Sequence, residues 1–332
     1  MMNKNRPVIA RAHTNIALVK YWGGKQNENL IIPQNDSLSL TLDQFYTDTT
    51  VTFDPTLTAD AVLIDNEVAQ GSDYQRVVDF LDIVRQKAQT PDRFFNVNSV
   101  NHVPPTAAGF ASSASAFAAL AAAASRAADL KLDLTELSRL ARRGSGSASR
   151  SIFAGFVQWH TGNDDETSYA EQYASAADWD IGVIALTLQK SRKKVSSRQG
   201  MQLSVTTSPF YSEWIKLANS DIEQIKQAID QHDFTTVGHI SETNALRMHA
   251  LTLSADPGFI YFTGQTIEMI NEIRQLRKMG IECYATIDAG PNVKVLCQKE
   301  NASKIMTHFN QLLGSENVIY TTPGSGIEYL EK

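Results

Sequence analysis

Four stretches of the chain carry side chains whose types and spacing could bind anions or move a proton. Pro104-Pro105-Thr106-Ala107-Ala108-Gly109-Phe110-Ala111-Ser112-Ser113-Ala114-Ser115 runs into an Ala-rich segment, Ala116 to Ala128. The prolines and Gly109 disfavour regular structure before Ser112. The Ala, Leu and Phe that follow favour a packed helix, so the serines are expected at a helix N-terminus. Unpaired N–H groups and the positive end of the helix dipole suit a phosphate there, and the hydroxyls add donors or a magnesium ligand. The same segment reads equally as a capped packing helix. It lacks the terminal Gly-Lys-Ser of the common nucleotide loop, so neutralising cations must come from elsewhere. Gly144-Ser145-Gly146-Ser147-Ala148-Ser149-Arg150-Ser151 is a second run of small residues, here with a guanidinium. It is either a plain Gly-Ser connection or, with Arg142, Arg143 and Arg150, a second anion site, because Arg grips carboxylate or phosphate with two parallel hydrogen bonds. Lys190, Arg192, Lys193, Lys194 and Arg198 form a basic run expected to be a solvated loop, Arg198 being the one to set apart. Asp288-Ala289-Gly290-Pro291-Asn292 has the residues of a tight turn, with a carboxylate at its head.

The rest of the chain must position these groups. Its 332 residues, 42% of them hydrophobic, suffice for one large domain or two moderate ones. A net charge of -6 opposes general nucleic-acid binding, which needs a broad basic surface, and leaves room for a small basic pocket. Met1 to Thr14 holds no apolar signal core, and the longest apolar run, Ala116 to Ala124, is about half of what a membrane span requires. The expectation is a soluble cytoplasmic protein that binds neither nucleic acid nor membrane. Cys283 and Cys297 are too few for a disulfide framework and are expected to be reduced; if they flank one hairpin they lie near each other. The seven His show no metal-ligand spacing.

Alternation predicts strands at Val8 to Ala12, Ile16 to Trp22, Ser37 to Tyr46, Thr49 to Phe53 and Phe94 to Val100. Helical spacing of Val77, Leu81, Val84 and Ala88 predicts a helix over Asp73 to Gln89. A second is expected from Asp133 to Arg143, where Asp133 and Glu136 form a capping-box pattern. Strands are expected at Phe153 to His160 and Ile181 to Leu188. From Phe210 the pattern is helix-led. Two long helices precede a third ended by Gly280, then a hairpin of Glu282 to Ile287 and Val293 to Gln298, a helix at Ala302 to Leu313 and a strand at Val318 to Thr321. The composition shift near Ser204 to Pro209 places a soft boundary, giving 1–205 as a β-rich α+β domain and 206–332 as a second α+β domain that carries Asp288.

Asn15-Ile16-Ala17-Leu18-Val19-Lys20-Tyr21-Trp22-Gly23, the Pro105 to Ser113 stretch, Arg142 to Ser147 with Arg150, and Asp288 to Asn292 occur in an order that resembles the diphosphomevalonate decarboxylase family of the GHMP kinase superfamily. The resemblance spans nearly the whole chain. It implies an α+β GHMP kinase fold, with an N-terminal β-rich half of ribosomal-protein type and a C-terminal ferredoxin-like α/β half around a central cleft. It implies ATP and Mg2+ as cofactors, a small-molecule substrate and a homodimer. The implied reaction is ATP-dependent decarboxylation of (R)-5-diphosphomevalonate to isopentenyl diphosphate, in which the tertiary 3-hydroxyl is phosphorylated before phosphate and CO2 leave.

By that resemblance Asp288 orients and deprotonates the hydroxyl, Lys20 steadies Asp288 and the γ-phosphate, and Arg150 holds the substrate carboxylate or diphosphate. Tyr21, Trp22, Gly23, Lys25, Arg76, Ser145, Gly146, Ser147, Ala148, Ser149, Arg198 and Thr207 match substrate-contacting positions. Asn15, Ala108, Gly109, Ser112, Ser113 and Ser115 match the ATP side, with Ser113 as a magnesium contact and Asn15 beside Lys20. The chain departs from the family pattern in the extra glycine of Tyr21-Trp22-Gly23-Gly24-Lys25, in Asp36 where a small polar residue is usual, and in Ser149 where Cys is usual. A related kinase or decarboxylase acting on mevalonate or its monophosphate stays open as the alternative. A ligand sensor on the same fold is disfavoured by the presence of both Asp288 and Lys20.

Overall fold

The structure, a computed structural model, describes residues 6–24, 30–102, 112–189 and 194–331. Lys25, Ala108, Gly109 and the basic residues Lys190, Arg192 and Lys193 lie outside the described residues. In chain order the elements are β1 (Val8–Val19), β2 (Ser37–Phe53), β3 (Ala61–Ile64), β4 (Glu67–Val68), α1 (Gly71–Ala88), β5 (Phe95–His102), α2 (Ser112–Ala127) and α3 (Leu134–Gly144). After a 3-10 helix at Gly146–Ile152 come β6 (Phe156–Trp159), β7 (Ala170–Ala174), β8 (Ile181–Leu186), α4 (Ser197–Thr207), α5 (Tyr211–Asp230) and α6 (Phe234–Leu253). The chain closes with α7 (Gly264–Lys278), β9 (Cys283–Ile287), β10 (Val293–Gln298), α8 (Lys299–Leu313), β11 (Val318–Thr321) and β12 (Glu328–Leu330).

Two sheets result. The first runs β12-β1-β2-β5-β3-β4, with β6 and β7 added along the other end of β2; the second runs β11-β8-β10-β9, antiparallel throughout. Thus β8, which precedes residue 205, is paired inside the sheet that otherwise comes from the C-terminal part of the chain. The α+β GHMP kinase architecture expected from the sequence is the one found.

The Ala-rich stretch does form α2. Ala118, Ala119 and Ala121 to Ala124 are fully buried, because methyl side chains let the helix lie close against β1 and β2. Its other face meets Phe80, Leu81 and Val84 of α1. Beneath the second sheet, Ile270 and Ile273 of α7 and Ile305 and Phe309 of α8 pack on Ala285, Ile287, Val293 and Val295. The opposite face of that sheet shares one core with the first: Ile16, Leu18, Leu38 and Leu40 meet Val183, Leu296, Trp214, Ile225 and Met248. Cys283 and Cys297 stand opposite each other in the hairpin, both buried and free, as expected for reduced thiols.

Several boundaries differ from those the sequence predicts. The two strands expected over residues 8–22 are one, β1, because the polar run His13-Thr14-Asn15 is fully satisfied inside the protein. His13 bonds the Leu42 and Asp43 carbonyls, Thr14 bonds Ser115, and Asn15 bonds the 3-10 segment, while the ladder shifts register between His13 and Asn15. Likewise β2 runs unbroken through Thr47-Asp48, whose side chains pair with Asn101 and Arg11. The short strand β7 and the helix α4 are additional; α4 opens on a capping box between Ser196 and Gln199.

Candidate active site

The site is built at the seam where β1 ends against the β9–β10 hairpin. Ala285, Ile287, Val293 and Val295 face α7 and α8, and side chains alternate along a strand, so Thr286 and Lys294 point the other way, toward β1. Thr286 bonds the Ala17 carbonyl. The turn Asp288 to Asn292 is fixed at every step. Gly290 N and His249 Nε2 both reach the Asp288 carbonyl, Thr266 Oγ1 donates to the Pro291 carbonyl, and Asn292 Oδ1 accepts from the amides of Leu188 and Gln189. Burial pushes the His249 imidazole down to about 3, so it is neutral and its Nε2–H is the donor to Asp288.

Lys20 leaves β1 with its backbone held on both sides: its N–H donates to Asn244 Oδ1 (2.8 Å) and its carbonyl accepts from Asn35 Nδ2 (2.9 Å). Its Nζ lies 2.9 Å from Asp288 Oδ1, and Lys294 Nζ lies 3.3 Å from Asp288 Oδ2. One carboxylate therefore bridges two ammonium groups. The lysine side chains are only 2% and 4% exposed, whereas Asp288 is 33% exposed. Burial lowers Lys20 to about 8, against the opposing pull of Asp288. Burial alone would raise Asp288, but Lys20 and Lys294 outweigh it and hold the carboxyl well below its usual range.

Arg150 projects from the 3-10 helix and is 2% exposed. Its guanidinium donates to Ser37 Oγ (2.7 Å) and Asn15 Oδ1 (3.3 Å) and lies over the Trp159 ring, 5.8 Å from its centroid. Its Nε–H meets no acceptor among the described residues. Burial lowers its pKa to about 10, with Asp288 pulling it back up. A cation hydrogen-bonded only to neutral oxygens is a receptor for an anion.

The remaining candidates divide. Tyr21 packs edge-on against Trp159, and Gly146 lies where any Cβ would come within 2.8 Å of Trp159 and 2.9 Å of Tyr21. Both line the Arg150 side of the site. Ser113, Ser145 and Ser147 form a row of hydroxyls spaced 3.4 Å apart. Arg198 is exposed in the first turn of α4, close enough for its charge to act on Tyr21 and Arg76. Arg76 is exposed on α1 over the Phe117 ring.

Others are turned inward. Trp22 is a core residue stacked edge-on against Tyr261, and Ala148 is fully buried. Gly23 has φ +108, and its carbonyl accepts from Gln34 N. Ser149 closes its own turn on the Gly146 carbonyl. Thr207 is occupied by the Leu203 carbonyl and the Asp256 amide. Ser115 faces the sheet, bonding Thr47 and Thr14, because the helix turns it away from its N-terminus. Asn15 bonds Ser147, Ser151 and Arg150 rather than Lys20. Asp36 clamps Thr161 and Gln158 near the end of β6.

Lys294, Ser37, His249 and Asn244 were not singled out from the sequence. Lys294 had a legible signal, a charged residue alternating with Val293, Val295 and Cys297 in a strand that is otherwise apolar.

Among the described residues no group of three or more His, Cys, Asp or Glu could hold a metal ion. The hydroxyl row of Ser113, Ser145 and Ser147 fits magnesium in the way that ion is usually held, by few protein oxygens together with the phosphates of a nucleotide.

Residues 12–170 match the diphosphomevalonate decarboxylase-like N-terminal domain, and residues 183–327 the mevalonate 5-diphosphate decarboxylase C-terminal domain. The chain is similar to a solved structure of MDDEF in complex with MVAPP, AMPPCP and magnesium, at 47% identity and TM-score 0.93 over 98% of this chain and 99% of that one. It is similar to the mevalonate diphosphate decarboxylase from Enterococcus faecalis, with 46% identity, TM-score 0.93 and the same coverage. The diphosphomevalonate decarboxylase of Saccharomyces cerevisiae is 35% identical over 324 residues, 92% of this chain and 81% of the relative.

Proposed function

This chain belongs to the diphosphomevalonate decarboxylase family, and from that premise we propose how its residues divide the work. The activity is ATP-dependent decarboxylation of (R)-5-diphosphomevalonate to isopentenyl diphosphate, with ATP and Mg2+ as cofactors. The γ-phosphoryl group passes to the tertiary 3-hydroxyl oxygen and ADP leaves. The C–O bond to the new phosphate then breaks, and the electrons of the carboxylate-bearing C–C bond form the double bond as CO2 departs. Phosphoryl transfer depends on positioning and charge stabilisation more than on covalent help.

Asp288 orients the 3-hydroxyl and takes its proton through the carboxylate face open to the cleft. Two neighbouring ammonium groups make it a weak base, which suits a loose transition state in which the proton leaves late. Lys20 neutralises the transferring phosphoryl group. Arg150 holds the substrate carboxylate or diphosphate, with Asn15 and Ser37 as its struts. Tyr21, Gly146 and Ser147 line that subsite, and Arg198 and Arg76 add positive charge at the rim. Ser113 and Ser145, together with the motif residues Ser112, Ala108 and Gly109, receive the nucleotide. The Ser113 hydroxyl, together with the phosphates, would hold Mg2+, which would offset the negative charge of the ATP tail. The observation that carries this division is the single carboxylate bridged by two buried ammonium groups, with a buried guanidinium that has no carboxylate partner among the described residues.

With it we propose a cytoplasmic homodimer that binds neither nucleic acid nor membrane, and a division of labour between an ATP-binding part, 1–205, and a part, 206–332, that supplies Asp288. The acidic net charge of -6 opposes nucleic-acid binding, and no helix among the described residues is long and apolar enough to cross a membrane. Light scattering at the mass of one chain refutes the dimer. Purified protein given ATP and diphosphomevalonate should release CO2 together with ADP. Mevalonate and its monophosphate should not substitute, and ADP without CO2 from the diphosphate overturns the reading. Asp288→Ala should lower kcat by about 10²–10⁴-fold with little change in ATP affinity.

A further inference from the structure

Asp288 is surrounded by charge from several elements: Lys20 from the end of β1, Lys294 from β10, Arg150 from the 3-10 helix, and the neutral His249 of α6 at its carbonyl. The two lysines are not equivalent. Lys20 sits beyond the end of its strand. Lys294 is anchored in the middle of a sheet, its backbone paired with Ala185 of β8 on one side and Thr286 of β9 on the other. Its ammonium comes out of that fixed backbone onto Oδ2, while Lys20 takes Oδ1.

An incoming γ-phosphate competes with Asp288 for the Lys20 ammonium. If Lys20 turns to the phosphate, a carboxylate left without a cation binds a proton more tightly, since its partly buried setting disfavours the charge. A second cation on the other carboxylate oxygen prevents this.

Building on the reading of Asp288 as the base, we propose that Lys294 is a positioning residue for the phosphorylation step. It locks Oδ2, keeps the carboxylate ionised while Lys20 engages the phosphoryl group, and thereby presents Oδ1 to the 3-hydroxyl proton. Lys294 touches neither reactant and acts through Asp288. The same charge bears on Lys20. Two ammonium groups sharing one carboxylate repel, and this contributes to lowering Lys20. Removing Lys294 therefore raises the proton affinity of both Asp288 and Lys20.

The test is kcat/KM against pH from about 5 to 10 for the parent, Lys294→Met and Lys294→Arg, with CO2 and ADP both measured. Lys294→Met is expected to move the alkaline limb upward by about one pH unit and to lower kcat about 10- to 100-fold, with the KM for ATP changed less than about threefold. Lys294→Arg restores the charge and is expected to return the limb to its place and recover most of kcat. A merely structural role would lower activity without moving the limb. Lys294→Gln carries the same readout if the Met variant does not fold. An unmoved limb in the neutral variants, or a limb that Lys294→Arg does not return, overturns the proposal. Asp288→Asn separates the two levels. Full turnover in Asp288→Asn overturns the base assignment itself. Lost turnover there, with an unmoved limb in Lys294→Met, overturns only the role of Lys294.

Discussion

Replacing Arg150 by Met should separate stability from function. The guanidinium is 2% exposed and, among the described residues, lacks a carboxylate within hydrogen-bonding distance, so the folded protein bears a desolvation cost for it. The fall of its pKa from the ordinary value to about 10 corresponds to roughly 3 kcal/mol against the charged form. Met removes that cost and fills similar space beside Trp159, but it leaves Ser37 Oγ and Asn15 Oδ1 without their donor, at about 1 kcal/mol each. The balance is near zero. Tm should move by no more than about 3 °C in either direction. Substrate loses two charge-assisted hydrogen bonds of about 1.5–3 kcal/mol each, so kcat/KM for the diphosphate should fall about 10²–10⁴-fold. Calorimetry and the coupled CO2 assay on the same preparation read both quantities. A loss of Tm beyond about 10 °C would show that Arg150 is a structural cation, and unchanged kcat/KM would remove it from the site.

Further outcomes follow from the same geometry. Gly146→Ala places a Cβ 2.8 Å from Trp159 and 2.9 Å from Tyr21. It should cost about 1–3 kcal/mol of stability and raise the substrate KM more than the ATP KM, as unfolding and initial-rate measurements would show. His249 has its folded pKa lowered to about 3. The unfolded imidazole takes a proton near 6.5 while the folded one does not, so this contribution to stability is complete above about pH 6.5 and is lost as pH falls toward 3. Denaturant titrations of His249→Gln between those values should show a shallower decline than the parent.

The hairpin and its turn were legible because Gly290 and Pro291 forbid regular structure between two apolar alternating runs, and that places Asp288 in a turn. The helix 134–144 was legible from Asp133 and Glu136 for the same local reason. What failed was what depends on distant partners. His13, Thr14 and Asn15 look like a break in a strand because nothing nearby in sequence satisfies them. Their partners are in β2, in α2 and in the 3-10 helix, the last more than 130 residues away. Helix α4 was missed because Gly200 and three threonine or serine residues in its second half hide any apolar period. Among the candidate site residues, Lys20, Asp288 and Arg150 were singled out by motif, and their mutual arrangement was not. Ser115 and Thr207 fit motif positions, yet their hydroxyls serve the interior, a distinction that only side-chain direction settles.

Lys20 and Asp288 are separated by 268 residues along the chain and by 2.9 Å in space. During synthesis Ser113, Ser145, Ser147, Lys20 and Arg150 all leave the ribosome long before the hairpin that carries Asp288 and Lys294. One strand of the second sheet also waits, since β8 has neither of its pairing partners until β10 and β11 arrive. A nascent chain therefore holds the parts proposed to grip phosphates and lacks the carboxylate proposed to accept the hydroxyl proton. The order of the elements delays the capacity to spend ATP until almost the whole molecule has been made.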